Sequence, residues 1–191
     1  HFGIKDFIIC LGYKGELLKK EANYLNRNKK WNIKYLNTGL NTMTGGRLKR
    51  LKSFIGNETF LLTYGDAVTD LDINQVIKFH KEHGKMITVT AVRPPARFGE
   101  LKLNQSNEVI DFKEKPNATQ GWINGGFFVI EPEFLNYLGE DSCILEKEPL
   151  ENAAKSNQLV AFLHDGFWHC IDTKRDKDSL EEIIKSDKKR W

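Results

Sequence analysis

The stretch LLTYGDAVTDLDINQ, residues 61–75, decides the fold of this sequence. A short apolar run ends at Gly65 and Asp66, and Asp70 and Asp72 follow before an amphipathic segment begins. The nearly continuous apolar run predicts a strand in a sheet that is covered on both faces. Asp66 then falls at the carboxyl end of this strand, where ligands bind in sheets of this kind.

Strand-like and helix-like segments alternate on both sides of this stretch. Asp72 stands at the N-cap position of an amphipathic segment, residues 73–83, that Gly84 ends. A second amphipathic segment, residues 48–55, ends in the same way at Gly56. Further strands are predicted at DFIICL, NIKYLN, MITVTAV, ELKL, EVIDFKEK, GWINGGFFVI and LVAFL, and further helices at residues 16–24, PEFLNYL, EPLENAAKSN and DKDSLEEIIKS. This alternation predicts an α/β fold, a doubly wound and mainly parallel (Rossmann-like) sheet in a single domain over residues 1–191.

Composition and charge exclude several classes of protein. The 191 residues are 40% hydrophobic and 29% charged, which is ordinary for a globular domain with a core of its own. The net charge is +3, and the basic residues are scattered apart from residues 27–30 and 185–191. Solvated basic faces account for both runs, so we expect no nucleic-acid partner. No apolar run approaches the roughly 18 residues of a membrane span and no signal peptide opens the chain, so we expect no membrane association.

The cysteines and histidines show no metal or disulfide pattern. Cys10, Cys143 and Cys170 lie far apart, and none belongs to a CxxC pair. This spacing indicates neither a disulfide framework nor a cysteine zinc site, and it fits a reducing, cytoplasmic location. His164 and His169 add no spacing typical of a zinc motif, so we expect them to be packing and surface residues.

Four strand-to-loop junctions are candidate binding sites, and the first is TMTGGRLKR, residues 42–50. Two glycines ahead of a helix permit close approach to its N-terminus, which favours an anion or the polar edge of a base. Arg47 adds a charge that can bind phosphate. The alternative is a simple Gly-Gly turn before the helix, so this stretch alone is a weak signal of a nucleotide site.

The second and fourth junctions carry aspartates that can bind a divalent cation. Asp66 follows its strand, and Gly65 leaves room for a ligand beside the backbone. Asp172 ends a short strand in FWHCIDTKRD, residues 167–176, and Thr173 begins the next helix. Mg²⁺ takes one or two carboxylates and completes its shell with water and phosphate oxygens. The two aspartates therefore predict a shared Mg²⁺ if the fold brings their loops together.

The same acidic residues also have structural explanations. Asp72 caps the following helix, and Asp70 lies in the turn before it. Asp172 by itself, followed by Thr173, would be no more than an N-cap signal. We favour the structural reading for Asp70 and Asp72.

The third junction is FKEKPNATQGWINGGFFVI, residues 112–130. Glu114 can accept hydrogen bonds from sugar hydroxyls, and Lys115 at the strand end can neutralise a phosphate. Asn124 offers both a donor and an acceptor, and the two glycines after it permit close approach of a ligand. The alternative for these glycines is a β-bulge or a tight crossing within a buried strand.

Eight segments stand in the same order along this chain as in a known family. They are GIKDFIICLGYKG, TMTGGRLKR, TYGDAVTDLDI, RPPARFGELKL, FKEKP, INGGFFVIEP, EKEPLENAA and GFWHCIDTKRDKDSLE. Together they closely resemble the glucose-1-phosphate cytidylyltransferases of the sugar nucleotidyltransferase family, from His1 to Trp191. The resemblance implies the nucleotidyltransferase type of α/β fold and the conversion of CTP and α-D-glucose 1-phosphate to CDP-glucose and pyrophosphate. It also implies a place at the entry to the 3,6-dideoxyhexoses of bacterial surface polysaccharide, such as O-antigen.

The resemblance further implies a role for each candidate residue. Asp66 and Asp172 would hold Mg²⁺, and Lys115 would contact the phosphates. The nucleotide would be bound by a loop whose backbone near the two glycines reads the cytosine edge, together with the glycine before the first aspartate: Thr42, Thr44, Gly45, Gly46, Arg47 and Gly65. The sugar would be bound by Gly99, Glu114 and Asn124.

The mechanism that the resemblance implies consists of positioning two negatively charged substrates and neutralising their charge. The oxygen of the sugar phosphate attacks the α-phosphorus in line, so no nucleophilic side chain is needed. The residues that would carry this work are Arg47, Asp66, Lys115 and Asp172. The family association also implies a homo-oligomer.

Two features depart from the family pattern. The family begins with a strand and a GGxGTR loop followed by a lysine, and nothing in this sequence matches them. We therefore expect the N-terminal strand to be missing, and a polypeptide beginning at His1 to be inactive and poorly stable. The interval from Tyr24 to Trp31 is also shorter than the arm expected there.

Two other functions are compatible with parts of the sequence. A non-catalytic module that binds a nucleotide or a sugar phosphate would explain the absent loop. A metal-dependent glycosyltransferase would explain DLD, residues 70–72, as a D-x-D motif. The second alternative gives no role to TGGR or EKP, and it places the motif beyond the strand end at Asp66.

Overall fold

A computed structural model describes residues 2–94, 100–113 and 121–186. The strands are β1 (Asp6–Leu11), β2 (Asn32–Asn37), β3 (Phe60–Thr63), β4 (Ala67–Thr69), β5 (Ile87–Val92), β6 (Glu100–Leu103), β7 (Val109–Lys113), β8 (Ile123–Ile130), β9 (Leu159–His164) and β10 (Trp168–Cys170). The helices are α1 (Gly15–Asn26), α2 (Thr44–Arg50), α3 (Lys52–Ile55), α4 (Ile73–His83), α5 (Glu148–Lys155) and α6 (Lys174–Lys185), with a 3₁₀ helix over Pro132–Tyr137. Within these three ranges, none of the helices combines the length and the apolar character that crossing a bilayer requires.

The chain divides into two compact units. The first comprises residues 1–60, 84–87 and 130–159, and the second comprises residues 61–83, 88–129 and 160–191. The first unit contains β1, β2, α1, α2, α3, the 3₁₀ helix and α5. The second contains β4, β6, β7, β10, α4, α6 and all but one terminal residue of β3, β5, β8 and β9. The prediction of a single domain over residues 1–191 stays a prediction.

The first unit is built on a parallel strand pair connected by a helix. β1 and β2 pair in register from Asp6 with Asn32 to Leu11 with Asn37, and α1 connects them. Thr38 extends this pairing, because both its N–H and its hydroxyl donate to the Leu11 carbonyl, at 2.9 Å and 3.1 Å. The largest fully buried apolar side chains of this unit are those of Ile87, Ile130, Phe134, Leu135 and Leu145.

The second unit contains a four-stranded sheet and two antiparallel pairs. The strand order of the sheet is β3-β8-β5-β9, and β4 pairs with β10 and β6 with β7. Helix α4 places Val76 in an apolar cluster with Leu71 and Val129, which Ile77 and Phe127 adjoin. The apolar face that the 3.6-residue periodicity predicts for α4 therefore packs into the core, as expected.

The α/β fold is confirmed, and one prediction about the sheet is wrong. The strand predicted around residues 59–64 exists as β3, but it is not covered on both faces. Phe60 and Leu62 are half-buried, whereas Leu61 is 39% exposed. β3 lies at the edge of the four-stranded sheet as described, and its side chains alternate between the two faces.

Two further elements differ from the sequence-based expectation. The helix predicted for residues 48–55 begins earlier, at Thr44, and is interrupted at Leu51, where α2 gives way to α3. Gly56 does end α3, with φ at +70°. β4 was not predicted, because three residues are too few to show the alternation of a strand.

The N-cap predicted at Asp72 is confirmed by the hydrogen bonds at the start of α4. Its Oδ1 accepts the N–H of Asn74 at 3.0 Å and that of Gln75 at 3.4 Å. Its Oδ2 accepts the side-chain amide of Gln75 at 3.1 Å. The carboxylate thus satisfies N–H groups that the first turn of the helix leaves without a partner.

Replacing this cap tests its contribution to stability. Asp72→Ala is expected to lower the free energy of unfolding by about 1 kcal/mol, because the first-turn N–H groups lose their acceptor. Asp72→Asn keeps an acceptor oxygen and should stay close to the wild type. Urea titration followed by circular dichroism measures both, and an Ala variant as stable as the Asn variant would contradict the capping role.

Candidate active site

The glycine pair of the predicted nucleotide loop lies inside α2 and not ahead of it. Both N–H groups, of Gly45 and Gly46, donate to the Cys143 carbonyl, at 2.9 Å and 3.2 Å. A Cβ on Gly46 would stand 2.7 Å from Cα of Asp141, and one on Gly45 would stand 2.6 Å from Sγ of Cys143. These glycines therefore allow another segment of the same chain, around Asp141 and Cys143, to pack closely against α2. These two N–H groups already donate to the Cys143 carbonyl, and the prediction that backbone near these glycines reads the cytosine edge stays a prediction.

The threonines of the same loop are also held by the chain. Thr44 Oγ1 accepts the N–H of Leu145 at 2.9 Å and donates to Glu146 Oε2 at 2.7 Å. Thr42 is buried, and its Oγ1 would stand 2.7 Å from a Cβ on Gly39, whose φ is +92°. These contacts fix the entry to α2, and a role for either threonine in nucleotide binding stays a prediction.

Arg47 is half-buried, and its guanidinium joins the ends of β1 and β2. Nη1 donates to Thr38 Oγ1 at 2.6 Å and to the Leu11 carbonyl at 3.3 Å, and Nη2 donates to the Leu40 carbonyl at 3.4 Å. All of these acceptors are neutral, and no ion pair joins the guanidinium to a carboxylate of the described ranges. Nε–H and one Nη2–H remain for a further acceptor, so the residue can hold these strands and still attract an anion.

The charge of Arg47 also acts on a neighbouring thiol. Burial raises the pKa of Cys10, while the Arg47 charge and a hydrogen bond with Thr38 act in the opposite direction. Burial is the largest of these causes, so the thiol stays protonated at neutral pH. A thiol with a raised pKa carries little thiolate at neutral pH, so we interpret Cys10 as a packing residue of β1.

The two aspartates predicted to share a metal come together in the second unit. Antiparallel pairing of β4 with β10 matches Ala67 with Cys170. One step beyond this pair, the Ile171 N–H donates to the Asp66 carbonyl at 2.8 Å. The segments that carry Asp66 and Asp172 thus adjoin at one end of the strand pair, and a metal ion shared by the two carboxylates stays a prediction.

Neither aspartate is used as a helix cap. Thr173 is the N-cap of α6, and it forms a reciprocal capping box with Asp176, whose N–H donates to Thr173 Oγ1 at 3.3 Å. The Thr173 N–H in turn donates to Asp176 Oδ2 at 2.8 Å. Asp172 is exposed at the position before the cap, so the N-cap explanation considered for it is wrong.

The donor atoms at this place suit a hard cation. Asp66 is exposed, and its carboxylate makes no hydrogen bond or ion pair with the part of the chain that is described. Cys170 Sγ lies 3.5 Å from Asp172 Oδ2, and burial together with this carboxylate raises the pKa of the thiol. The hard donor atoms at this place are the carboxylate oxygens of Asp66 and Asp172. Carboxylates completed by water and phosphate oxygens fit Mg²⁺.

Asn124, the predicted sugar ligand, is oriented by its neighbours. Its side-chain Nδ2 donates to the Tyr64 hydroxyl at 3.1 Å, and its Oδ1 accepts the Gly126 N–H at 2.8 Å. Gly126 has φ at +78°, and a Cβ there would stand 3.0 Å from the Tyr64 ring. The amide keeps one N–H and one lone pair for another molecule. Sequence reasoning missed Tyr64, although its position directly before Gly65 placed it at the same strand end.

Gly125, which follows Asn124, is closely approached by other residues of the protein and leaves no room for a ligand. A Cβ there would stand 2.8 Å from Val92 and 2.9 Å from the Thr90 carbonyl. The Gly125 carbonyl accepts the indole N–H of Trp168 at 2.8 Å. The tight-crossing alternative is therefore confirmed for this residue, and Trp168 is a second contact that the sequence did not reveal.

The structure describes one of the remaining candidate residues, Gly65. Gly65 has φ at +89° and open space where a Cβ would project, which is compatible with the predicted ligand approach. Gly99, Glu114 and Lys115 lie outside the described residues, so their roles stay predictions.

Comparison with known proteins connects these features to a family. Residues 1–185 match the family described as Nucleotidyl transferase. The chain belongs to the nucleotidyl transferase family. It is 44% identical to the glucose-1-phosphate cytidylyltransferase of Salmonella typhi, an alignment that covers 99% of this chain and 81% of the relative.

A second sequence relative and a solved structure are also similar to this nucleotidyl transferase. A Bacillus subtilis protein named "Probable glucose-1-phosphate cytidylyltransferase" is 35% identical and is matched over 100% of this chain and 82% of its own length. The crystal structure of HddC from Yersinia pseudotuberculosis superposes with a TM-score of 0.70 at 19% identity, over 96% of this chain and 80% of that chain. The structural likeness shows a shared fold, and the sequence relatives show the family.

The close contact at Gly46 predicts that replacing this helical glycine by alanine destabilises the protein. Replacing glycine by alanine inside a helix normally stabilises by about 1 kcal/mol. Gly46→Ala is expected to lower the melting temperature, because its Cβ would overlap backbone atoms of Asp141. Gly45→Ala should be milder, since the nearest atom is the sulfur of a side chain that can rotate. A Gly46→Ala variant that melts above the wild type would contradict the packing described here.

Proposed function

We propose that this nucleotidyl transferase forms CDP-glucose and pyrophosphate from CTP and α-D-glucose 1-phosphate. The observation that carries the proposal is the 44% identity to the Salmonella typhi enzyme over 99% of this chain. The junction of the two aspartate-bearing segments is compatible with it, because the pairing of β4 with β10 ends next to both Asp66 and Asp172. The proposal includes Mg²⁺ as cofactor, a cytoplasmic homo-oligomer, and a product used for surface polysaccharide such as O-antigen.

The reaction requires positioning of two negatively charged substrates. An oxygen of the sugar phosphate forms a bond to the α-phosphorus of CTP, and the bond between that phosphorus and the bridging oxygen of the β-phosphate breaks. Pyrophosphate leaves with the electron pair. The nucleophile belongs to the substrate, so the protein contributes alignment and charge compensation.

Each described residue would contribute to one of these tasks. Asp66 and Asp172 would hold Mg²⁺, which when bound offsets negative charge on the phosphates. Arg47 would attract the triphosphate through its remaining N–H groups. Asn124 would present one N–H and one lone pair to a sugar hydroxyl, in an orientation set by Tyr64.

Pyrophosphate release by the full-length protein containing residues 1–191 tests the proposal. With Mg²⁺ and glucose 1-phosphate, CTP is expected to react faster than ATP, GTP and UTP. Asp66→Asn and Asp172→Asn should each lower kcat/KM by about 100-fold or more, because the metal contributes several kcal/mol of charge stabilisation. Asp178→Asn, an exposed position on α6, is the matched control and should keep wild-type activity.

Other results would favour a different function. Binding of CTP or glucose 1-phosphate without pyrophosphate release would indicate a non-catalytic binding protein. Consumption of a nucleotide sugar with transfer to an acceptor would indicate a glycosyltransferase. Full activity in both Asp66→Asn and Asp172→Asn would remove the two carboxylates from the mechanism.

A further inference from the structure

The turn between β9 and β10 is fastened to the end of β4 by Asp70. The Phe167 N–H donates to Asp70 Oδ1 at 2.7 Å, and the Asp70 N–H donates to the Phe167 carbonyl at 3.1 Å. The same Oδ1 lies 3.0 Å from Nε2 of His164, whose side chain is 12% exposed while that of Asp70 is 27% exposed. One carboxylate oxygen therefore holds both the turn and the last residue of β9.

The hydrogen bonds determine which nitrogen of His164 carries a proton. Nε2 faces Asp70 Oδ1, the Phe167 carbonyl at 3.3 Å and Thr69 Oγ1 at 3.1 Å. A carboxylate and a carbonyl only accept hydrogen bonds, so Nε2 must bear the hydrogen. The Thr69 hydroxyl donates to the Phe167 carbonyl at 2.8 Å and accepts the Leu71 N–H at 3.2 Å. His164 is thus a donor toward Asp70, and the group forms a closed network around the turn.

Gly166 leaves the space that this network needs. A Cβ at this position would overlap Asp70 Oδ1 and the His164 ring. Any other residue would therefore separate the carboxylate from the imidazole or displace the turn. The sequence HDGF, residues 164–167, suits this arrangement because its glycine stands where the two side chains meet.

This network lies at one end of the short strand pair whose other end carries the predicted metal ligands. β4 and β10 match only three residues each, from Thr69 with Trp168 to Ala67 with Cys170. Two strands of this length are marginal without further support. The Asp70 network supports the end at Thr69, and the opposite end leads directly to Asp66 and Asp172. A shift of the pair would move both metal-binding candidates.

We propose that Asp70 and His164 are positioning residues that hold β4 against β10 and thereby set the relative placement of Asp66 and Asp172. The proposal rests on the proposed function, because it assigns a cation to those two carboxylates. Neither Asp70 nor His164 would touch the cation or the substrates. Partners outside the first ligand shell typically change metal affinity by about 10- to 100-fold when they are removed.

Metal binding and hydrogen exchange test the proposal without substrate turnover. Mn²⁺ serves as the probe, and its binding to the full-length protein containing residues 1–191 is followed by loss of the free Mn²⁺ paramagnetic resonance signal. Asp70→Ala is expected to weaken Mn²⁺ binding by about 10-fold or more, and to speed amide exchange in residues 167–171. Asp70→Asn keeps an acceptor oxygen for Phe167 and His164, and should restore most of both properties.

A second pair of variants, at His164, keeps the proposal testable if Asp70→Ala does not fold. His164→Gln places an amide N–H near the position of Nε2 and should be closer to the wild type than His164→Ala in both measurements. Asp72→Ala is the matched control, because it removes a carboxylate two residues from Asp70 and loosens α4 only. It should leave Mn²⁺ affinity unchanged despite its lower stability.

The outcomes separate this inference from the proposed function. Equal Mn²⁺ affinity in wild type and Asp70→Ala overturns the inference, whether or not exchange increases. A loss in Asp72→Ala as large as that in Asp70→Ala also overturns it, since the effect would then be general destabilisation. A wild type that binds no Mn²⁺ overturns it as well. Normal Mn²⁺ binding with the expected losses, but no release of pyrophosphate from CTP, overturns the proposed function and leaves the positioning role standing.

Discussion

The pairing of β4 with β10 is the interaction on which the arrangement of the second unit's candidate site depends. It joins segments that are far apart along the chain, since the bond from Thr69 to the Phe167 carbonyl spans 98 residues. The pair is short, and backbone hydrogen bonds beyond each of its ends extend it. Trp168 attaches it to the four-stranded sheet through the Gly125 carbonyl. The segments that carry Asp66 and Asp172 adjoin because of this pairing, since they are about a hundred residues apart along the chain and no local structure connects them.

Several glycines in this protein make room for the chain itself. Gly45 and Gly46 admit the segment around Cys143, and Gly125 admits the backbone of β5. A missing Cβ has the same appearance in a sequence whether the approaching group is a ligand or a neighbouring strand. In α2 the N–H groups of both glycines donate to the Cys143 carbonyl, so their hydrogen bonds hold two segments of the chain together. Arg47, with N–H groups still available, is the stronger candidate for contact with an anion.

Much of the fold could be predicted from the sequence because its elements are long enough to show a period. α4 was predicted with its cap at Asp72, its buried face and its end at Gly84, since each depends on residues within about one turn of the helix. β4 was missed because three residues define no period. The interruption at Leu51 and the exposed face of β3 were missed for another reason. Both depend on which other elements pack against the segment, and no local pattern records that.

The sequence by itself determined the family and most of the strands and helices, and it made Asp66 and Asp172 the candidates for binding a cation. These features follow from residue identity and from spacing along the chain, which a sequence contains in full. Only the tertiary structure decided what the other acidic residues do. Asp70 appeared to be a turn residue, yet the N–H that it accepts belongs to Phe167, 97 residues away. A hydrogen bond between such distant segments leaves no trace in local spacing, because it exists only after folding has brought the two strands together.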